Sequence, residues 1–169
     1  MSQPPNFHWI IAPLTEQHAE QITTWKYEPP YDVYQWPAWE RMLADDYEFA
    51  NAHIRETQYI AILDTADDHS LAAYAQLFPL EGWTRLGIGL HPVRCGLRQG
   101  VGLSIIKAVL QHTQQKTPAN RIDLEVFVWN VRAIRAYSST GFEIQDTYER
   151  KNAITGLPQE VHCMELNRP

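Results

Sequence analysis

The sequence predicts an α+β fold, a mixed and mostly antiparallel central sheet flanked by helices, on three observations. Strand-like runs follow one another at 58–64, 71–78 and 85–91 with only short turns between them, as in an antiparallel meander. Two segments with helical spacing, about 102–114 and 130–139, then lie between and after strand-like runs rather than alternating regularly with them. Neither an internal repeat nor a linker rich in Gly, Ser or Pro divides the 169 residues, so 1–169 reads as a single domain with a core of its own.

Element by element, residues 8–12 are expected as a strand and Thr15 to about Trp25 as a helix. Thr15 is a natural N-cap, and Ala19, Ile22 and Trp25 share one face. The segment EPPYDVYQWP carries Pro29, Pro30 and Pro37, which forbid a continuous helix and display Tyr31, Tyr34 and Trp36 from irregular backbone. A short helix follows from Ala38 to about Asp46. After the meander, Leu103, Ile106, Val109 and Leu110 mark the apolar stripe of the first long helix. Residues 122–128 alternate as a strand should, and Gly141 ends the helix at 130–139. Closing strands at about 142–150 and 160–167 flank the turn-prone TGLP.

Composition narrows the function. A net charge of −6 argues against a dedicated nucleic-acid binder, which needs concentrated Lys and Arg. No apolar run reaches the roughly 20 residues that span a bilayer, and MSQPPNFHW lacks the features of a signal peptide, so no membrane association is expected and the cytoplasm is the expected location. Cys95 and Cys163 have no spacing suited to zinc, and no metal is expected. The charges are unevenly spread. Residues 81–116 carry five basic residues against Glu81, whereas residues 28–80 carry ten acids against Arg41 and Arg55.

The chemically informative stretch is the strand LGIGLHP, the loop VRCGLRQGVG and the helix that follows. A helix N-terminus offers unpaired N–H groups and a positive dipole end to a phosphate. Gly100 and Gly102 leave room for close approach, while Arg98 and Gln99 bring a positive charge and an amide to the same place. A Walker loop would need Lys and Ser or Thr after Gly102, where Leu103 and Ser104 stand. A dinucleotide fingerprint would need glycine at position 105, which is Ile105; a nucleotide-dependent oxidoreductase is thereby disfavoured.

Two separated segments resemble the GNAT superfamily of N-acetyltransferases. The first is Leu90-His91-Pro92, then Gly100-Val101-Gly102, then the helix LSIIKAVLQ; the second is Leu124, Val126, Asn130, Ala133, Tyr137 and the pair Gly141-Phe142. The loop departs from the family pattern at Leu97 and is longer by about two residues. The segment WKYEPPYDVY also resembles one that lies near the acceptor in a branch of these enzymes.

The resemblance implies a V-shaped opening between the strands at 85–91 and 122–128, with acetyl-coenzyme A as cosubstrate. Leu90 and His91 would contact its pantetheine arm, residues 98–104 (Arg98, Gln99, Gly100, Val101, Gly102, Leu103, Ser104) its pyrophosphate, and Asn130 would orient it. A backbone N–H near Leu90 or His91 would polarise the thioester carbonyl. Tyr137 would be the general acid for the leaving thiolate, with Glu81 or His91 as candidate base for the amine. The acceptor is expected to be a primary amine, with a cationic one suggested by the acidic stretch and by Tyr31, Tyr34 and Trp36. A homodimer stays open. The rival reading is a non-catalytic module that only binds acetyl-coenzyme A.

Overall fold

A computed structural model describes residues 6–97 and 99–167. Its strands are β1 (Trp9–Pro13), β2 (Tyr59–Asp64), β3 (Ser70–Leu80), β4 (Trp83–Leu90), β5 (Arg121–Phe127), β6 (Phe142–Lys151) and β7 (Pro158–Leu166), and its helices are α1 (Glu16–Ile22), α2 (Trp39–Ala44), α3 (Ala52–Gln58), α4 (Val101–Lys116) and α5 (Val131–Ser139). The strands form one sheet in the order β1-β2-β3-β4-β5-β7-β6. Every pairing is antiparallel except β4 with β5. The α+β architecture with a mostly antiparallel sheet is therefore present, and the single parallel junction sits where α4 crosses from β4 to β5.

At β2 and β3 the sheet is buried on both faces, and the period-2 alternation of β2 shows how. Ile60 and Ile62 join Leu86, Leu124, Val126 and Met164 against Val101, Ile105, Ile106 and Val109 of α4, while Tyr59 and Ala61 turn to the opposite side with Ala19, Ile22, Met42 and Phe49. An irregularity between Ile62 and Leu63, opposite Ala73 and Leu71, shifts the phase of β3, so Ala73 faces α4 but Leu71 joins the other cluster.

Local signals explain most boundaries. Thr15 caps α1 by accepting from the N–H of His18 at 3.1 Å, and the His18 ring accepts from Thr15 N–H in return. That helix stops at Ile22 rather than near Trp25, with Thr23 and Thr24 turning their hydroxyls back onto Glu20 and Gln21 carbonyls. The proline-rich segment contains only a 3-10 turn at Tyr31–Tyr34. One helix was not foreseen from the sequence. Asn51 caps α3 through Ile54 N–H at 2.9 Å, and the buried Arg55 donates to the carbonyls of Phe49 and Ala50.

Candidate active site

β4 and β5 pair only over their first halves. The register runs from Trp83↔Arg121 to Leu86↔Leu124 and stops, although β4 continues to Leu90 and β5 to Phe127. The strands diverge beyond that point, and a cavity of about 600 Å³ opens between them, lined on its two sides by Gly87–Leu90 and by Glu125–Phe127. On the other edge, β4 stays paired with β3 up to Ala73↔Leu90, and His91 N–H still donates to Ala72 O at 2.9 Å. Antiparallel alternation then turns Gly89 N–H toward β3 and those of Ile88 and Leu90 toward the opening. Tyr27 donates its hydroxyl to Leu90 O at 2.7 Å, so the groups of β4 left without a strand partner are the N–H of Leu90 and both backbone groups of Ile88.

The mouth of the opening is the start of α4. Gly100 is its N-cap with φ +77°, a left-handed conformation that favours glycine. Ser104 N–H makes the first helical bond, to Gly100 O at 2.9 Å, so the amides of Val101, Gly102 and Leu103 precede the ladder. A Cβ on Gly102 would sit 3.7 Å from Leu90 Cδ2, an ordinary contact, so the fold does not demand glycine there and the space above it is open. These features fit a pyrophosphate: free amides, a dipole end and a glycine-sized clearance.

The expected site residues divide into those the structure gathers and those it does not. Leu90, Gly100, Val101, Gly102, Leu103, Asn130 and Tyr137 all line the cavity. Ser104 does not: its hydroxyl donates to Val101 O at 2.7 Å and accepts from Trp9 Nε1 at 2.8 Å, tying β1 to α4. Gln99 is exposed and outside the lining, and Arg98 lies outside the described residues. Asn130 is the N-cap of α5, accepting from Ala133 N–H at 3.2 Å, and its Nδ2 donates to Tyr34 Oη at 2.8 Å, so both ends of its amide bind protein.

Neither base candidate reaches the opening. Glu81 lies in the β3–β4 turn, roughly 25 Å along the strand from Leu90. His91 is outside the lining, with its ring 4.9 Å from that of Trp25. Burial and then the Arg94 charge lower its pKa, which favours neutral imidazole. Its Nδ1, however, accepts from Val93 N–H at 3.2 Å, so the remaining proton sits on Nε2 and no lone pair is free. His91 N–H, bonded to Ala72 O, is likewise not a donor to a ligand.

Tyr137 packs its ring edge-on against Phe142, 5.7 Å between centroids, and no protein group among the described residues takes its hydroxyl. Burial, with Tyr34 as a second cause, raises its pKa above the ordinary value of 10, so the phenol stays protonated throughout the physiological range.

Several lining residues were not foreseen. Arg132, at the start of α5, stacks over Tyr31 at 4.1 Å and has no carboxylate partner among the described residues. Two arginines of the basic stretch are already committed: Arg85 to Asp123 and Glu125, Arg94 to Asp64 and Asp67. The facing wall is aromatic, with Tyr27, Tyr47, Tyr59 and Tyr74 beside the expected Tyr31, Tyr34 and Trp36.

A family model described as "Acetyltransferase (GNAT) domain" matches residues 8–143. This chain belongs to the GNAT acetyltransferase family. It is accordingly an acyltransferase, of a family that uses acetyl-coenzyme A. Solved structures with the same fold include spermidine N-acetyltransferase from Vibrio cholerae in complex with CoA and spermine, at TM-score 0.70 and 15% identity over 94% of each chain. Another is the ribosomal-protein-S18-alanine N-acetyltransferase from Escherichia coli, at TM-score 0.62 and 21% identity over 94% of this chain and 93% of that one. No protein of curated function matches the sequence. Among the described residues, no helix of this GNAT chain is long and apolar enough to cross a membrane, and no three His, Cys, Asp or Glu side chains gather as metal ligands would.

Proposed function

We propose that the chain, acting over residues 1–169 as one GNAT domain, transfers the acetyl group of acetyl-coenzyme A to a primary amine. The observation that carries this reading is the divergence of β4 from β5 beyond Leu86 and Leu124, which leaves amides unpaired beside the glycine-led start of α4 and a free phenol. When bound, acetyl-coenzyme A supplies an acetyl thioester open to attack by an amine. The N–H groups of Val101, Gly102 and Leu103 hold the pyrophosphate, and Arg132 adds the unpaired positive charge at that end. Ser104 supports this turn from behind through Trp9. Leu90 N–H, rather than that of His91, polarises the thioester carbonyl, because only the former points into the opening.

Tyr137 gives its hydroxyl proton to the departing sulfur. Its raised pKa does not handicap it, since the same desolvation that disfavours the phenolate disfavours the thiolate. The amine attacks as the free base, and with Glu81 distant and His91 Nδ1 occupied its proton passes to solvent. A module that only bound the coenzyme would have no use for a free phenol inside the cavity.

Tyr137→Phe keeps the ring packed on Phe142 and removes the proton donor. The single-turnover rate is expected to fall on the order of 10²–10⁴-fold with little change in KM for acetyl-coenzyme A. A rate within a few-fold of wild type would exclude Tyr137 as the acid.

A further inference from the structure

A phenol has one proton to give and two lone pairs to offer, so the bonds its oxygen already makes show what is left for a ligand. Tyr59 and Tyr74 are buried on the sheet face opposite α4, both line the cavity, and they differ on this point. Tyr59 gives its proton to Glu48 Oε2 at 2.7 Å. Tyr74 accepts from Trp36 Nε1 at 2.9 Å, and an indole nitrogen can only donate, so the direction of that bond is fixed. No acceptor among the described residues takes the Tyr74 proton. Tyr34 also accepts, from Asn130, but it is 38% exposed and its proton can go to water, whereas Tyr74 is only 9% exposed. Burial pushes the pKa of Tyr74 up to about 12, with the Trp36 bond acting in the opposite sense, so the proton stays on oxygen at neutral pH. A buried donor without an acceptor is costly, which points to a ligand atom as its partner.

The register of the sheet places that proton. Tyr74 on β3 lies directly opposite Gly89 on β4. Its ring reaches across the glycine: a Cβ built on Gly89 would come 2.3 Å from Tyr74 Cε1 and 2.6 Å from Tyr74 Oη. The hydroxyl therefore stands where a side chain at position 89 would stand. The phenol, not the backbone, requires glycine here, since φ at Gly89 is not left-handed. Ile88 and Leu90 pack toward α4, so Gly89 and the phenol above it face the acceptor side. One peptide link separates Gly89 Cα from Leu90 N, whose N–H points into the opening.

An atom that accepts from Leu90 N–H in the opening thus has a second donor beside it. Building on the acetyltransferase reading, we infer that the Tyr74 hydroxyl is the second donor to the thioester carbonyl oxygen and forms, with Leu90 N–H, a two-donor oxyanion site. As the amine nitrogen bonds to the carbonyl carbon, the C=O π electrons move onto that oxygen, and both hydrogen bonds strengthen. The pair returns as the C–S bond breaks, the sulfur takes the Tyr137 proton, and the surplus proton of the amine passes to solvent. Tyr74 keeps its own proton throughout. Trp36 is a positioning residue, because its N–H fills one lone pair of Tyr74 and so directs the hydroxyl. An amine N–H could use only the other lone pair, which would leave the Tyr74 proton still without an acceptor.

The test is isotope-edited infrared spectroscopy of acetyl-coenzyme A, labelled at the carbonyl carbon and bound to the protein with no amine present. Thermal shifts with acetyl-coenzyme A are recorded on the same preparations. A donor to the carbonyl oxygen lowers its stretching frequency, so Tyr74→Phe should move the bound band back toward that of the free thioester while the thermal shift is kept. Tyr59→Phe, which removes a hydroxyl of the same wall that is bonded to Glu48, should leave the band in place. Fluorotyrosine introduced at Tyr74 keeps ring and oxygen, donates more strongly, and should move the band the other way; it carries the test should Tyr74→Phe not fold. A band unmoved in either Tyr74 variant that keeps its thermal shift overturns the inference, as does an equal displacement in Tyr59→Phe. No thermal shift in the wild type would instead overturn the acetyltransferase reading beneath it.

Discussion

One wall of the cleft exposes unpaired backbone and the other side chains. At Leu90 and in the first turn of α4 the groups on offer are amides, which any residue but proline supplies once the strand and helix are in place. Across the cleft, Tyr31, Tyr34, Trp36, Tyr59 and Tyr74 arrive from an irregular segment and from β2 and β3, and they lock one another through Glu48, Asn130 and ring contacts. A backbone wall changes little when side chains change, so it suits a shared cosubstrate. A side-chain wall is remade by each substitution, so it suits an acceptor that differs from enzyme to enzyme.

Alkali should break the aromatic wall first, and with four phenols acting together this is the largest effect expected. Burial raises the pKa of Tyr27, Tyr59 and Tyr137, and that of Tyr74 to about 12. Below pH 10 both folded and unfolded chains hold these protons. Above it the unfolded chain releases them while the folded chain keeps them, so unfolding is favoured and stability falls as pH rises toward the folded values. Urea melts from pH 8 to 11.5 should show a flat region and then a decline; a stability that rises above pH 10 would contradict the burial of these hydroxyls.

The closed half of the β4–β5 pair should matter for stability and not for coenzyme. Arg85 reaches the buried Asp123 through both Nε and Nη2, at 3.0 and 2.7 Å. Arg85→Met leaves that carboxylate without its partner, at a cost of about 3 kcal/mol in a chemical melt, the low end for a buried pair because Arg85 is partly exposed. The acetyl-coenzyme A Kd of the folded variant should stay near wild type.

The open half should behave oppositely. Gly102→Val should leave the unliganded melting temperature within a few degrees, yet remove the ligand stabilisation of about 2.7 kcal/mol expected at a hundredfold excess of acetyl-coenzyme A over Kd. Gly100 is a poorer test, since its φ of +77° would make any replacement a folding lesion as well.

The smallest effect joins the two walls. Tyr27→Phe removes the hydroxyl bonded to Leu90 O and should cost about 1 kcal/mol of stability by the same melt. A larger loss would mean that the aromatic segment holds β4 in its diverged position.

The same contrast explains what the sequence revealed. Gly100, Gly102, Asn130, Tyr137 and the Gly141-Phe142 pair stand at fixed spacings on regular elements, so the mixed sheet and the place of the first four along the opening were legible in the sequence. Tyr59, Tyr74 and Arg132 carry no such spacing, because they meet only after β2, β3 and α5 have folded together. The charge count did not reveal where those charges sit, for a related reason. Acids abundant between 28 and 80 lie outside the cavity, and two of them, Asp64 and Asp67, pair with Arg94. His91 looked like a base by residue type, and only its bond to Val93 showed that its lone pair was taken.

The most direct test of the account follows backbone amide resonances of the labelled protein during titration with acetyl-coenzyme A. The largest shifts should fall on Ile88, Leu90 and Val101–Leu103, with Thr84 and Leu86 in the closed half of β4 nearly unmoved. Shifts concentrated at Thr84 and Leu86, or absent from Leu90 and the first turn of α4, would contradict the claim that the diverged half of this strand pair holds the coenzyme.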